Sequence, residues 1–183
     1  MHRISVLLFL LVFCSATAMQ AQAPAPKPGP EVKKLHVLVG HWTYEGEYEA
    51  GPLGPAGKHT GEMTCQMILG GFFLQCRETE KGPTGEWRAL LIIGYDAVNK
   101  NYLDHVCLDN GSRLIGAYTL SGNTWTWAAK WPAGGKEYQA RGTHEFAADL
   151  MSMADTAEIS VDGETWTPLR EGKWTKVPPT AKK

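Results

Sequence analysis

Turn chemistry cuts this chain into short, regularly spaced pieces, and that spacing limits it to one class of fold. The breaks are Gly70-Gly71, Gly82-Pro83-Thr84-Gly85, Asp96 to Lys100, Asn110-Gly111, Ser121-Gly122-Asn123, Pro132 to Gly135, and Asp162-Gly163. Asn110-Gly111 and Asp162-Gly163 are favoured type I′ hairpin signals. The pieces alternate apolar and polar residues, which predicts strands near 38–49, 59–69, 72–80, 86–95, 100–108, 112–120, 123–131, 136–147, 150–160 and 165–176. No long segment of helical period separates them, so parallel βαβ folds are excluded. Sequential hairpins predict an all-β, ten-stranded antiparallel up-and-down barrel, in which closure removes exposed edges.

The opening strand carries the clearest alternation. Trp42, Tyr44, Gly46 and Tyr48 fall on one face, while His41, Thr43, Glu45, Glu47 and Glu49 fall on the other. Gly40, two residues before Trp42, allows a bend or a close backbone approach where the chain enters the sheet. Gly40-x-Trp42 is similar to the G-x-W that opens lipocalin-type barrels, and Trp42 is expected to seal the barrel floor.

The flanks have different chemistry. Residues 1–23 have a basic start at His2 and Arg3, an apolar run from Ile4 to Phe13, and small-residue exits at Ala16-Thr17-Ala18 or Ala21-Gln22-Ala23. This is the pattern of a secretory signal peptide, with a run too short to span a bilayer. Residues 24–30 form a Pro/Ala-rich tether, 31–177 are read as a single β-barrel domain, and 178–183 as a disordered tail. A short helix is expected over 31–37, closing one end of the barrel. The Pro/Gly-rich stretch 51–58 is expected to be a loop over the barrel mouth. The expected location is periplasmic or secreted. Acidic and basic residues nearly balance, with 19 Asp and Glu against 18 Lys and Arg, so nucleic acid is not an expected partner.

A wider resemblance rests on Leu38-Val39-Gly40-His41-Trp42, Cys65…Gly70-Gly71-Phe72-Phe73…Cys76, Gly94-Tyr95-Asp96, and Ser160-Val161-Asp162-Gly163 with Trp166. On these motifs the chain resembles a family of secreted bacterial domains of unknown function. The resemblance covers about residues 31 to 177 and implies a lipocalin-like (calycin) barrel, with no activity attached. In lipocalin-like barrels a late basic side chain packs over the first-strand Trp, which implies Arg170 over Trp42.

Three cysteines remain after the leader: Cys65, Cys76 and Cys107. A two-residue turn at Gly70-Gly71 puts Leu69 opposite Phe72 and Cys65 opposite Cys76, which predicts a disulfide in an oxidising compartment. In that register the pair exchanges backbone hydrogen bonds and stands too wide, unless the turn is wider or bulged. Cys107 is expected to stay a free thiol.

Residues of catalytic or metal-ligating type are scattered. His36, His41, His59, His105 and His144 form no recognised ligand pattern, and the shared face of His105 and Cys107 reads as a core thiol beside a hydrogen-bonded histidine. Haem-binding nitrobindin-like barrels share Gly40-x-Trp42 and Glu45-Gly46, but take their axial histidine from a late strand, and residues 165–176 contain none. No metal or cofactor is therefore expected. Ser112, Ser121, Ser152 and Ser160 lack a nucleophile-elbow setting. Glu78, Asp104 and Glu145 are read as solvated carboxylates on the outer face.

The aromatic content points inward instead. Trp125, Trp127 and Trp131 share a face, as do Met63, Cys65, Met67, Phe72 and Leu74. A ten-stranded barrel is wider than side chains readily fill, so these faces are expected to line a cavity. The expected lining includes Tyr44, Tyr48, Met67 and Leu74, together with His105, Trp127 and Arg141, the last holding an anionic head group. The resulting expectation is a monomeric or homodimeric barrel, without a membrane span, that binds a small apolar or amphipathic molecule. Two alternatives stand beside it. One is an isomerase or hydrolase using inward His105, Arg141 and a carboxylate; the other is a packed structural or interaction domain.

Overall fold

The computed structural model describes residues 26–179. The expected signal peptide, the start of the tether and the end of the tail lie outside the described residues. A helical turn, α1 (Pro30–Lys34), runs into a 3-10 turn at Leu35–Leu38. Ten strands follow: β1 (Gly40–Tyr48), β2 (Gly57–Ile68), β3 (Phe73–Gly82), β4 (Gly85–Asp96) and β5 (Asn101–Leu108), then β6 (Arg113–Ser121), β7 (Thr124–Ala133), β8 (Lys136–Phe146), β9 (Ser152–Ser160) and β10 (Thr167–Val177). Every expected strand is present, with ends displaced by no more than about two residues.

Each strand pairs antiparallel with its sequence neighbours, and β10 returns to β1 to close the barrel. The register at closure sets Trp42 opposite Lys176, Tyr44 opposite Trp174, and Tyr48 opposite Arg170. The alternation read along β1 is therefore the alternation between barrel interior and solvent. Trp42 and Tyr44 are almost wholly buried, whereas Glu45 and Lys173 face water.

The floor is apolar. Leu35 and Leu38 of the 3-10 turn pack with Trp42, Leu74, Trp125, Phe146, Met153 and Trp174. Trp42 is fully buried, and its Nε1–H donates to the Leu38 carbonyl at 2.8 Å, fastening the N-terminal turn under the barrel. The cation over this indole is Lys176, whose Nζ lies 5.0 Å from the ring centroid and donates to Val37 O at 2.9 Å. The expected Arg170 does not reach it. The closure register sets Arg170 six residues further up β1, opposite Tyr48, and it turns into the interior.

The Cys65–Cys76 disulfide is formed on the inward face, and Cys107 is exposed and free. The register is the expected one, but the loop is wider than two residues. Leu69, Gly70 and Gly71 all take positive φ (50°, 71° and 86°), and pairing begins at Ile68 with Phe73. Moving the closing pair back by one residue inverts the hydrogen-bonding alternation along the hairpin. The cysteine Cα atoms stand 4.1 Å apart, the close spacing of a pair that exchanges no backbone hydrogen bonds.

Candidate functional site

Above the apolar floor the interior turns polar. His59, Glu80, Asp104, His144 and Asp155 are all buried, and each stands in phase with apolar inward residues on its own strand. Asp155 shows the pattern plainly: it lies between Met153 and Ala157 on the inward face of β9. Glycine makes the room these groups occupy. A Cβ at Gly172 would sit 2.3 Å from the Tyr44 hydroxyl, and one at Gly46 would sit 2.6 Å from it. The Tyr44 ring thus lies flat against a bare patch of wall on β1 and β10, beneath Arg170 at 6.0 Å.

Arg170 ties the belt together. Its Nε lies 2.8 Å from Asp155 Oδ2 in an ion pair, and its Nη1 lies 3.7 Å from Glu80 Oε2. Asp155 Oδ1 also lies 3.0 Å from His144 Nε2, a pairing set by their direct cross-strand register. Glu80 pairs in turn with His59 Nε2. Burial works to raise the Asp155 pKa, but Arg170 and His144 outweigh it and hold this carboxyl well below the usual carboxylate range. Burial, helped by Arg170, lowers His59 to about 4, so its imidazole is neutral at neutral pH.

The other carboxyls go the opposite way. Burial and the neighbouring Glu80 push Glu78 well above the ordinary range. Glu80 is also raised by burial, against the pull of Arg170. Burial, with Glu78 adding to it, raises Asp104 to about 8. At neutral pH the belt therefore holds one firm ion pair, Arg170 with Asp155, and buried carboxyls shifted towards the protonated form, Asp104 among them.

A cavity of about 500 Å³ opens onto this belt. Its walls include Met63, Leu91, Ile93, Val106, Trp127 and Ala129 on the apolar side, and Glu78, Glu80, Asp104, Tyr118, His144 and Arg170 on the polar side. Leu53, Gly54 and Pro55 of the β1–β2 loop border it together with Pro83, Thr84 and Asn110, which places the mouth at the end opposite Trp42. The stretch expected as a lid is thus part of the cavity rim.

The expected ligand residues divide accordingly. Tyr48 and Trp127 line the cavity. Tyr44 is interior but packed against Trp174 and His59, and Leu74 is buried in the floor cluster, with Met67 packed against it. His105 lies on the outer face of β5, because the inward phase of that strand belongs to Tyr102 and Asp104. Arg141 is also outside. It forms a salt bridge to Glu158 at 2.8 Å and stacks at 4.0 Å over Trp166, so it holds nothing in the interior. Of the carboxylates read as solvated, Glu145 is exposed, whereas Glu78 and Asp104 face the cavity. Among the described residues no group of three or more His, Cys, Asp or Glu side chains is arranged to hold a metal ion, and no helix is long and apolar enough to cross a membrane.

The architecture is similar to that of Rv2717c from M. tuberculosis, a crystal structure matched with a TM-score of 0.57 at 12% identity, over 83% of this chain and 100% of that one. At that identity the likeness concerns the fold alone. No curated protein matches the sequence. The family match extends over residues 27–178, the helical turn and the whole barrel, and by it the chain belongs to the family described as protein of unknown function (DUF1579).

Proposed function

We propose that this is an exported binding protein that takes up a small amphipathic molecule in the barrel interior. The observation that carries the reading is the cavity of about 500 Å³, apolar on one wall and hydrogen-bonding on the other. That volume falls within the range of small-molecule sites, and the few convergent polar groups are the usual means of fixing a ligand's orientation. A barrel evolved only for packing would have little reason to bury an Arg, two His and several carboxyls, since each carries a desolvation cost. The buried disulfide supports export to an oxidising compartment, in keeping with the leader pattern of residues 1–23.

The test is direct. An environment-sensitive apolar dye should bind one-to-one at micromolar concentration and change the tryptophan fluorescence, because Trp127 lines the cavity. Native mass spectrometry of the protein as purified should show a co-purifying small molecule. A protein that is empty and binds no probe would favour the packed-domain alternative.

One observation favours a second reading, an enzyme acting in the same cavity. His144 lines the cavity, and its Nε2 lies 3.0 Å from the buried Asp155. A carboxylate-oriented imidazole is general-base geometry. Turnover of a bound molecule that is lost in His144→Gln, with binding retained, would establish this reading over simple binding.

A further inference from the structure

The cavity wall discriminates among head groups. Five carboxyl groups border it (Glu49, Glu78, Glu80, Glu86 and Asp104) against a single guanidinium, that of Arg170. The charge of Arg170 is already balanced by Asp155 at 2.8 Å, with Glu80 at 3.7 Å beside it. Asp104 is in the reverse position. It is 4% exposed, it borders the cavity, and its Oδ1 has no hydrogen-bond partner. Directly across from it on β6 is Gly116, which also borders the cavity and has no side chain to cover the carboxyl.

A buried, unpartnered carboxyl is costly to the empty protein and stands ready for a ligand that supplies its missing partner. Resting on the interior-binding reading above, we propose that the ligand is an organic cation, a primary amine carrying an apolar chain or ring, with its ammonium group held by Asp104 and Glu78. The apolar body would lie against Trp127, Ala129 and Val106, and the acidic residues at the mouth, Glu49 and Glu86, would draw a cation in. A carboxylate head group would find only one cation here, Arg170, whose charge Asp155 already balances, and it would hold Glu78 and Asp104 in their protonated forms instead of pairing with their charge. In the empty protein Asp104 holds its proton at neutral pH, and an ammonium beside it makes the ionised form the favoured one. Binding of the amine therefore displaces a proton from Asp104 into solvent.

Calorimetric titration with decylamine, decanol and decanoate tests this, since the three share a chain and differ only in the head group. Decylamine should bind at least about tenfold more tightly than decanol, and decanoate most weakly. Repeating the amine titration at pH 7 in buffers of different ionisation enthalpy should show release of about one proton per amine bound. Asp104→Asn should weaken decylamine by about 30-fold, abolish the proton release, and leave decanol within about threefold. Glu78→Gln, should Asp104→Asn fold poorly, should likewise weaken the amine selectively. The proposal is overturned if decanol or decanoate binds as well as decylamine while both variants treat the three probes alike. If none of the three binds, the interior-binding reading itself fails, and the amine proposal with it.

Discussion

Arg170 and Asp155 form an ion pair on neighbouring strands inside the barrel, 2.8 Å from Nε to Oδ2, with Asp155 fully buried. The pair is set by a bulge on β10 between Pro168 and Arg170, which shifts the register of the strand against β9. Removing one partner strands the other charge. Asp155→Asn is therefore expected to destabilise the fold by roughly 3–5 kcal/mol, measured as the loss in unfolding free energy in urea. Arg141→Met, which breaks an exposed pair with Glu158, should cost no more than about 1 kcal/mol on the same scale.

The floor gives a second expectation. Trp42 is fully buried and hydrogen-bonded to Leu38, so Trp42→Ala should cost roughly 3–5 kcal/mol. An unchanged denaturation midpoint would contradict its part in holding the N-terminal turn. Lys176→Met removes the cation over the indole and its bond to Val37 O, and should cost about 1 kcal/mol.

The disulfide gives a third. Thiol titration of unfolded, unreduced protein lacking residues 1–23 should find a single free thiol, that of Cys107. Replacing Cys65 and Cys76 together by Ser closes off the cross-link and should lower stability by about 3 kcal/mol.

Much of this fold is written in the sequence, and the reason is physical. Hairpin turns are local, and the period of two survives in any strand with one wet face, so strand limits, register and the cysteine pairing follow from counting. The site was harder to read. The phase of Asp155 between Met153 and Ala157, and of Asp104 between Tyr102 and Val106, marked both as inward residues. Charge alone argued for the surface, and only the three-dimensional meeting of Arg170 with Asp155 and Glu80 explains why carboxyls are tolerated inside. His105 and Arg141 suit a binding site by residue type alone, but their strand phase is outward and both lie outside. The exchange of Lys176 for Arg170 over Trp42 depends on the closure register, which joins the two ends of the chain and leaves no local trace.

Stability should depend on pH through Asp104. Its pKa rises from 3.8 to about 8 on folding, so between those values the folded state holds a proton that the unfolded state has lost. Stability contributed by this group is complete at low pH and is lost as pH rises towards 8. His59, lowered from 6.5 to about 4, acts the other way, but only below 6.5. His59 is silent between pH 6.5 and 8, where Asp104 should contribute a loss of up to about 2 kcal/mol and the raised Glu78 and Glu80 act in the same direction. Asp104→Asn should show a shallower decline across that window, read from urea midpoints; a steeper one would contradict the burial of a protonated carboxyl.

The cavity itself is tested most directly by filling it. Gly116 borders the cavity, takes no positive φ, and has no backbone or side-chain atom closer than 3.4 Å to the position of an added Cβ. Gly116→Leu should therefore fold with unchanged far-UV circular dichroism while occupying the space beside Asp104. Titration of an environment-sensitive apolar dye into both proteins is the measurement. The account predicts one-to-one binding to the wild type, and at least about tenfold weaker binding to Gly116→Leu. Equal binding by the two folded proteins would place the dye elsewhere and contradict an interior site.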